Sequence, residues 1–135
     1  MFILNNDINH QPCICCSGKA YQDCCLPFHL KNVYPETAEK LMRSRFSAFQ
    51  LQLKDYLLES WSEATRPASI AFTPGLNWLK LEINGRKKGR KKDKEGWVTF
   101  VAHYKQDGVS GSLHEKSFFK RNQLGHWQYI DGEIK

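Results

Sequence analysis

The spacing of apolar residues along this chain changes near its middle. Ala38, Leu41, Met42, Ala48, Phe49 and Leu53 recur at steps that approximate one face of a helix, which predicts a helix over about 37–53. Tyr34-Pro35-Glu36-Thr37 precedes it with helix-start chemistry: a proline near the first turn, and Glu36 and Glu39 at the positive end of the dipole. Asp55 is placed to cap a second, shorter helix through Tyr56, Leu57, Leu58 and Trp61. Arg66-Pro67 should end the helical region, because a residue before proline is pushed out of the α basin. Beyond that point the runs become rich in aromatic and β-branched residues. Strands are predicted over 76–83, 97–104, 112–120 and 126–130, with turns at 107–111 and 122–125. Helices followed by an antiparallel meander make an α+β layout.

The composition suits such a domain. Among 135 residues, 41% are hydrophobic and 13% aromatic, enough for one core with a small appendage. No apolar run approaches the roughly 18–20 residues of a membrane span. Near the N-terminus Phe2-Ile3-Leu4 is the only apolar patch, and no basic residue precedes it, which is too little for a secretory signal. A cytoplasmic location is expected.

Charge is concentrated. Seven cations stand between Asn84 and Glu95 against Asp93 and Glu95, so this segment carries +5 of the chain's +6. Arg86, Lys87, Lys88, Arg90, Lys91 and Lys92 are candidate contacts to an RNA backbone, on a loop expected to be solvated and mobile. No aromatic residue is interleaved with them in sequence, so base stacking is not indicated.

All five cysteines fall between residues 13 and 25. Thiols used as small core hydrophobes would be scattered, so the cluster reads as a metal site, with a disulfide cluster or a reactive thiol group as the alternatives. Elsewhere there is no serine nucleophile motif, phosphate-binding glycine loop or carboxylate cluster, so no catalytic residue is assigned.

Cys13-Ile14-Cys15, Ser17-Gly18-Lys19, Tyr21 and Cys24-Cys25 resemble the SEC-C motif, the short zinc-binding element found at the C-terminus of the SecA translocation motor. That resemblance implies structural Zn²⁺ on Cys13, Cys15, Cys24 and Cys25. Cys16 stands where the motif often has glycine, and three roles are open to it: bystander, competing ligand or redox-sensitive thiol. His29 is an outside candidate with the wrong spacing. The segment from Thr37 to Phe49, together with Trp61, Thr65-Arg66-Pro67, Leu113-His114-Glu115 and Trp127-Gln128-Tyr129, is similar to the YchJ family. Residues 1–12 read as a flexible leader, and the resemblance implies a SEC-C zinc-binding module at 13–30 and a nuclear-transport-factor-2-like domain at 31–135. In that fold helices pack on a curved, cone-like antiparallel sheet.

Such a fold encloses a cavity. Its candidate residues are Arg43, Arg45, Tyr56, Trp61, His103, Glu115 and Trp127. Arg43 and Arg45 lie on opposite sides of a helix, so one of them should point inward, to tie helix to sheet in a buried ion pair with Glu115 or to form with it a site for an anionic ligand. His114 and Glu115 face opposite sides of a strand.

The favoured reading is a zinc-stabilised binding protein or adaptor, whose SEC-C module and basic loop contact a protein or ribonucleoprotein partner. The resemblance points to the ribosome, since SEC-C elements of the translocation motor are associated with a chaperone and the ribosome. Alternatives are a small-molecule-binding protein or enzyme using the cavity, and a thiol-redox sensor.

Overall fold

The computed structural model describes residues 8–135, so most of the expected leader lies outside the described residues. After the cysteine turn come a 3₁₀ turn at Tyr21–Asp23 and a short helix α1 (Leu26–His29). Helices α2 (Ala38–Leu51) and α3 (Lys54–Glu59) follow, and then strands β1 (Leu76–Lys88), β2 (Glu95–Gln106), β3 (Val109–Arg121) and β4 (Trp127–Ile134). The strands pair in chain order, each antiparallel to the next.

Helix α2 starts where its sequence allows. Thr37 takes an extended conformation and its side chain accepts the Lys40 N–H at 3.1 Å. At the other end Gln52 turns left-handed, with φ of 58°, and its N–H meets the Ala48 and Phe49 carbonyls. That turn starts α3 earlier than its sequence suggests. Leu53 is the residue before the helix, and Asp55 sits in the first turn instead of capping it. Helix α3 then ends at Glu59, ahead of Arg66-Pro67, because residues 60–62 leave to run beside β4. Ser62 N–H donates to Tyr129 O at 2.8 Å and Tyr129 N–H to Ser60 O at 2.9 Å.

The sheet is longer than its apolar runs. Strand β1 continues through Gly85–Lys88, pairing with Thr99, Val98, Trp97 and Gly96, so half of the expected basic loop is strand. Cross-strand hydrogen bonding overrides the low β-propensity of the lysines there. Asp107 and Gly108, with φ of 51° and 84°, make a two-residue turn of the kind that matches sheet twist, and β3 begins at once with Val109. Register shifts fall between Trp78 and Lys80, between Ile83 and Gly85, and between Phe118 and Phe119, each a bulge that bends the outer strands.

Helix α2 lies across this bent sheet. Leu41, Met42 and Phe46 pack on Leu81, Val98, Phe100, Ala102, Phe119 and Trp127. Trp127 also donates its indole N–H to Glu36 O at 3.0 Å, which fixes the approach to the helix.

Candidate functional site

The cysteine turn is built by its backbone. Cys13 N–H donates to Lys19 O at 2.8 Å, Cys16 N–H to Cys13 O at 3.0 Å, and Pro12 pairs with Ala20. Cys16 and Gly18 both have positive φ, 66° and 91°, which reverses the chain and brings residues 13 and 15 towards 24 and 25. The sulfurs of Cys13, Cys15, Cys24 and Cys25 all lie within 4.8 Å of one another. A tetrahedral ion with metal–sulfur bonds near 2.3 Å needs sulfur–sulfur edges of about 3.8 Å. The Cys15–Cys24 and Cys24–Cys25 separations are 3.5 and 3.9 Å, so these four thiols could hold a metal ion.

Cys16 stands apart. It is exposed, its sulfur lies 3.5 Å from Ile14 O, and its left-handed backbone is the conformation that favours glycine. His29 is committed elsewhere. Its Nε2–H donates to Ser44 O at 2.9 Å, so its Nδ1 accepts the Tyr21 hydroxyl at 2.7 Å. Burial lowers its pKa and keeps the ring neutral.

Within the cluster the thiols perturb one another. Cys15 is held well below the usual thiol range by S–H groups of Cys13 and Cys25, with further donation from Ser17 and Cys24. Cys13 and Cys25 are pushed up, mainly by the hydrogen bonds that tie them to their neighbouring sulfurs. Ser17 lies 3.0 Å from the Cys24 sulfur. A cation bound among these sulfurs would favour their ionised forms.

The cysteine module is docked on helix α2. Arg43 donates Nη1–H to Cys15 O at 2.8 Å, His29 reaches Ser44 O, Leu51 packs against the cysteine cluster and Ile14 against the main core. Arg43 also donates Nε–H to Glu39 Oε2 at 2.9 Å, and Arg86 donates Nη1–H to Glu39 Oε1 at 2.6 Å. A polar chain therefore runs from the basic strand, through the first turn of α2, to the cysteine turn.

The basic hairpin is pinned where sequence reading expects a mobile loop. Ala38 N–H donates to Gly89 O at 2.9 Å, and Arg121 donates to the Lys91 and Asp93 carbonyls. Lys91 pairs with Glu36 at 3.2 Å and Arg90 with Asp93 at 3.5 Å. Lys87 lies 5.2 Å above the Trp97 ring, which stacks on Phe118, so strand pairing brings an aromatic surface beside the cations. Lys88 and Lys92 project with no ion-pair partner among the described residues. An open groove of about 480 Å³ runs between α2 and the hairpin, bordered by Thr37, Glu39, Arg86, Lys88 and Arg90.

A separate cavity of about 170 Å³ opens between α2 and the sheet. Of the candidate cavity residues, Arg45, Trp61 and Glu115 line it. Arg45 is 3% exposed; its Nη1 donates to Leu57 O at 2.8 Å and Ser60 Oγ at 2.7 Å, and its guanidinium lies against the Trp61 and Tyr129 rings. Burial pulls its pKa down to about 10, so it remains a cation. Glu115 accepts from Ser117 Oγ at 2.7 Å, and the two charged groups form no ion pair within 4.0 Å among the described residues.

The other four candidates lie elsewhere. Arg43 faces the cysteine turn, since a residue two positions from inward-facing Arg45 must point away. Tyr56 lies under α2 with its hydroxyl donating to Ser44 Oγ at 2.6 Å. His103 sits on the outer sheet face, bonded to Glu82, and Trp127 is packed in the core. Sequence reading did not select Tyr129, Ser117 or Ser44. For Ser117 the available signal is two-residue alternation, which puts Glu115, Ser117 and Phe119 on one face.

These features define a class: a SEC-C cysteine module seated on an NTF2-like α+β domain. A family model described as YchJ, middle NTF2-like domain, matches residues 37–132. A UPF0225 protein of Streptomyces coelicolor is 43% identical over 91% of this chain and 95% of its own length. One from Methylibium petroleiphilum is 43% identical over 95% and 93%. The solution structure of a SEC-C motif containing protein from Rhodopseudomonas palustris superposes with a TM-score of 0.82 at 31% identity, covering 93% of this chain and 99% of that one. A crystal structure of a SEC-C motif containing protein from Psychrobacter arcticus gives 0.76 at 26% identity, over 95% and 85%. The chain belongs to the YchJ (UPF0225) family.

Proposed function

We propose that this protein is a zinc-stabilised binding module whose cysteine turn and basic hairpin act as one surface towards an anionic protein or ribonucleoprotein partner, the ribosome among them. Zinc is the metal assigned because the donor set is four cysteine sulfurs within 4.8 Å of one another, and four protein ligands leave no open position for substrate. The observation that carries the reading is the chain Arg86–Glu39–Arg43–Cys15 O. It couples the two segments that differ most from ordinary surface, so loss of metal would loosen the hairpin's anchor on α2. The groove beside Lys88 and Arg90 offers a place for phosphate or carboxylate groups.

The reading is tested by co-sedimenting the zinc-loaded protein with ribosomes over a salt series. Binding should weaken steeply with salt. Changing Lys88, Lys92 and Lys94 to glutamine should flatten the log–log slope by about 2 if each cation meets a phosphate. These lysines are chosen because none is ion-paired among the described residues. Association that ignores salt and survives the triple change would remove the hairpin from the account.

A further inference from the structure

The cavity between α2 and the sheet holds two opposed charges that the protein leaves partly unused. Arg45 spends one nitrogen, Nη1, on Leu57 O and Ser60 Oγ; Nε and Nη2 have no hydrogen-bond partner among the described residues. Glu115 receives Ser117 Oγ at 2.7 Å and the Tyr129 hydroxyl at 3.5 Å, both on Oε2, while Oε1 receives no side chain among those residues. Tyr129 separates the pair, with its ring under the guanidinium at 4.7 Å and its hydroxyl towards the carboxylate. A Cβ at position 132 would overlap the Glu115 carboxylate, so Gly132 is what leaves that group its place.

The rest of the lining is apolar, with Phe46, Phe49, Trp78, Phe100 and Leu113 prominent. The volume of about 170 Å³ slightly exceeds the ~150 Å³ cavity that takes a benzene ring. A simple carboxylate could meet Arg45 but would face Glu115; a simple amine would meet Glu115 but face Arg45. A molecule carrying both charges satisfies both groups and adds no net charge to a low-dielectric site.

We propose that this cavity binds a small zwitterion with an apolar body, of the class of the apolar α-amino acids. Its carboxylate would lie on Arg45, its ammonium towards Glu115, and its side chain among the aromatic walls. The site is independent of the metal and of the basic hairpin, so it stands or falls separately from the partner-binding reading.

The test is calorimetric titration of the full zinc-loaded chain with L-leucine, isovalerate and isoamylamine, which share a body and differ in their charged ends. L-Leucine should bind with one-to-one stoichiometry, and the two singly charged analogues at least about tenfold more weakly. Glu115→Gln should lower leucine affinity by about tenfold or more with the unfolding temperature nearly unchanged, and Arg45→Met should abolish binding. Arg45 is buried and its variant could fail to fold, so Glu115→Gln and the analogue series carry the decision. No leucine binding at about 10 mM would overturn the proposal. So would isovalerate binding as tightly as leucine, or Glu115→Gln leaving its affinity unchanged.

Discussion

Two residues of the cysteine module show how single side chains divide its work. Cys16 occupies a left-handed position, φ of 66°, with its thiol turned out to solvent. A non-glycine residue there bears a steric cost of about 1–2 kcal/mol, partly offset by the extra freedom that glycine gives the unfolded chain. Cys16→Gly should therefore retain the metal and raise stability by about 0.5–1 kcal/mol, read from urea unfolding of the loaded protein. His29 does the opposite kind of work, joining α1 to α2 through Nε2 and to the 3₁₀ turn through Nδ1. His29→Leu keeps most of the bulk but leaves the buried Tyr21 hydroxyl without its acceptor. It should cost about 1–3 kcal/mol, with loss of amide protection concentrated between Cys13 and His29.

At the scale of elements, α2 and the β1–β2 hairpin meet in close contact at Ala38, Gly89 and Gly96. Gly89 takes φ of 76° against Ala38, and a Cβ on Gly96 would overlap the Gly89 backbone. Gly96→Ala should cost about 1–3 kcal/mol through overpacking, and Thr37→Ala about 1 kcal/mol through loss of the cap, both measured by denaturant midpoint. The sequence shows part of this plainly. The apolar face of α2, the Thr37 start and the four strands are all legible, because helix period and aromatic, β-branched runs are local signals. The ends are not. Lysines at 87 and 88 carry no strand signal of their own and are held by pairing with Trp97 and Gly96. Residues 60–62 leave α3 because β4, nearly seventy positions later, offers them hydrogen bonds. The four cysteines that the fold gathers are those singled out by the resemblance to a known motif. The cavity is legible only in part: Arg45 and Glu115 can be named, but which arginine turns inward depends on how α2 is rotated on the sheet.

Across the whole molecule, the cysteine module, α2 and the basic hairpin are joined by Glu39 and Arg43, so metal occupancy should be felt beyond residues 13–25. The sheet core of Val98, Phe100, Ala102 and Phe119 is separate and should persist without metal. The most direct test is native mass spectrometry of freshly isolated protein and of its Cys24→Ser and Cys16→Ser variants, without added metal or chelator. The account predicts one zinc ion per chain in the parent and in Cys16→Ser, and none in Cys24→Ser. A metal-free parent carrying disulfides, or zinc that survives Cys24→Ser and is lost with Cys16, would contradict it.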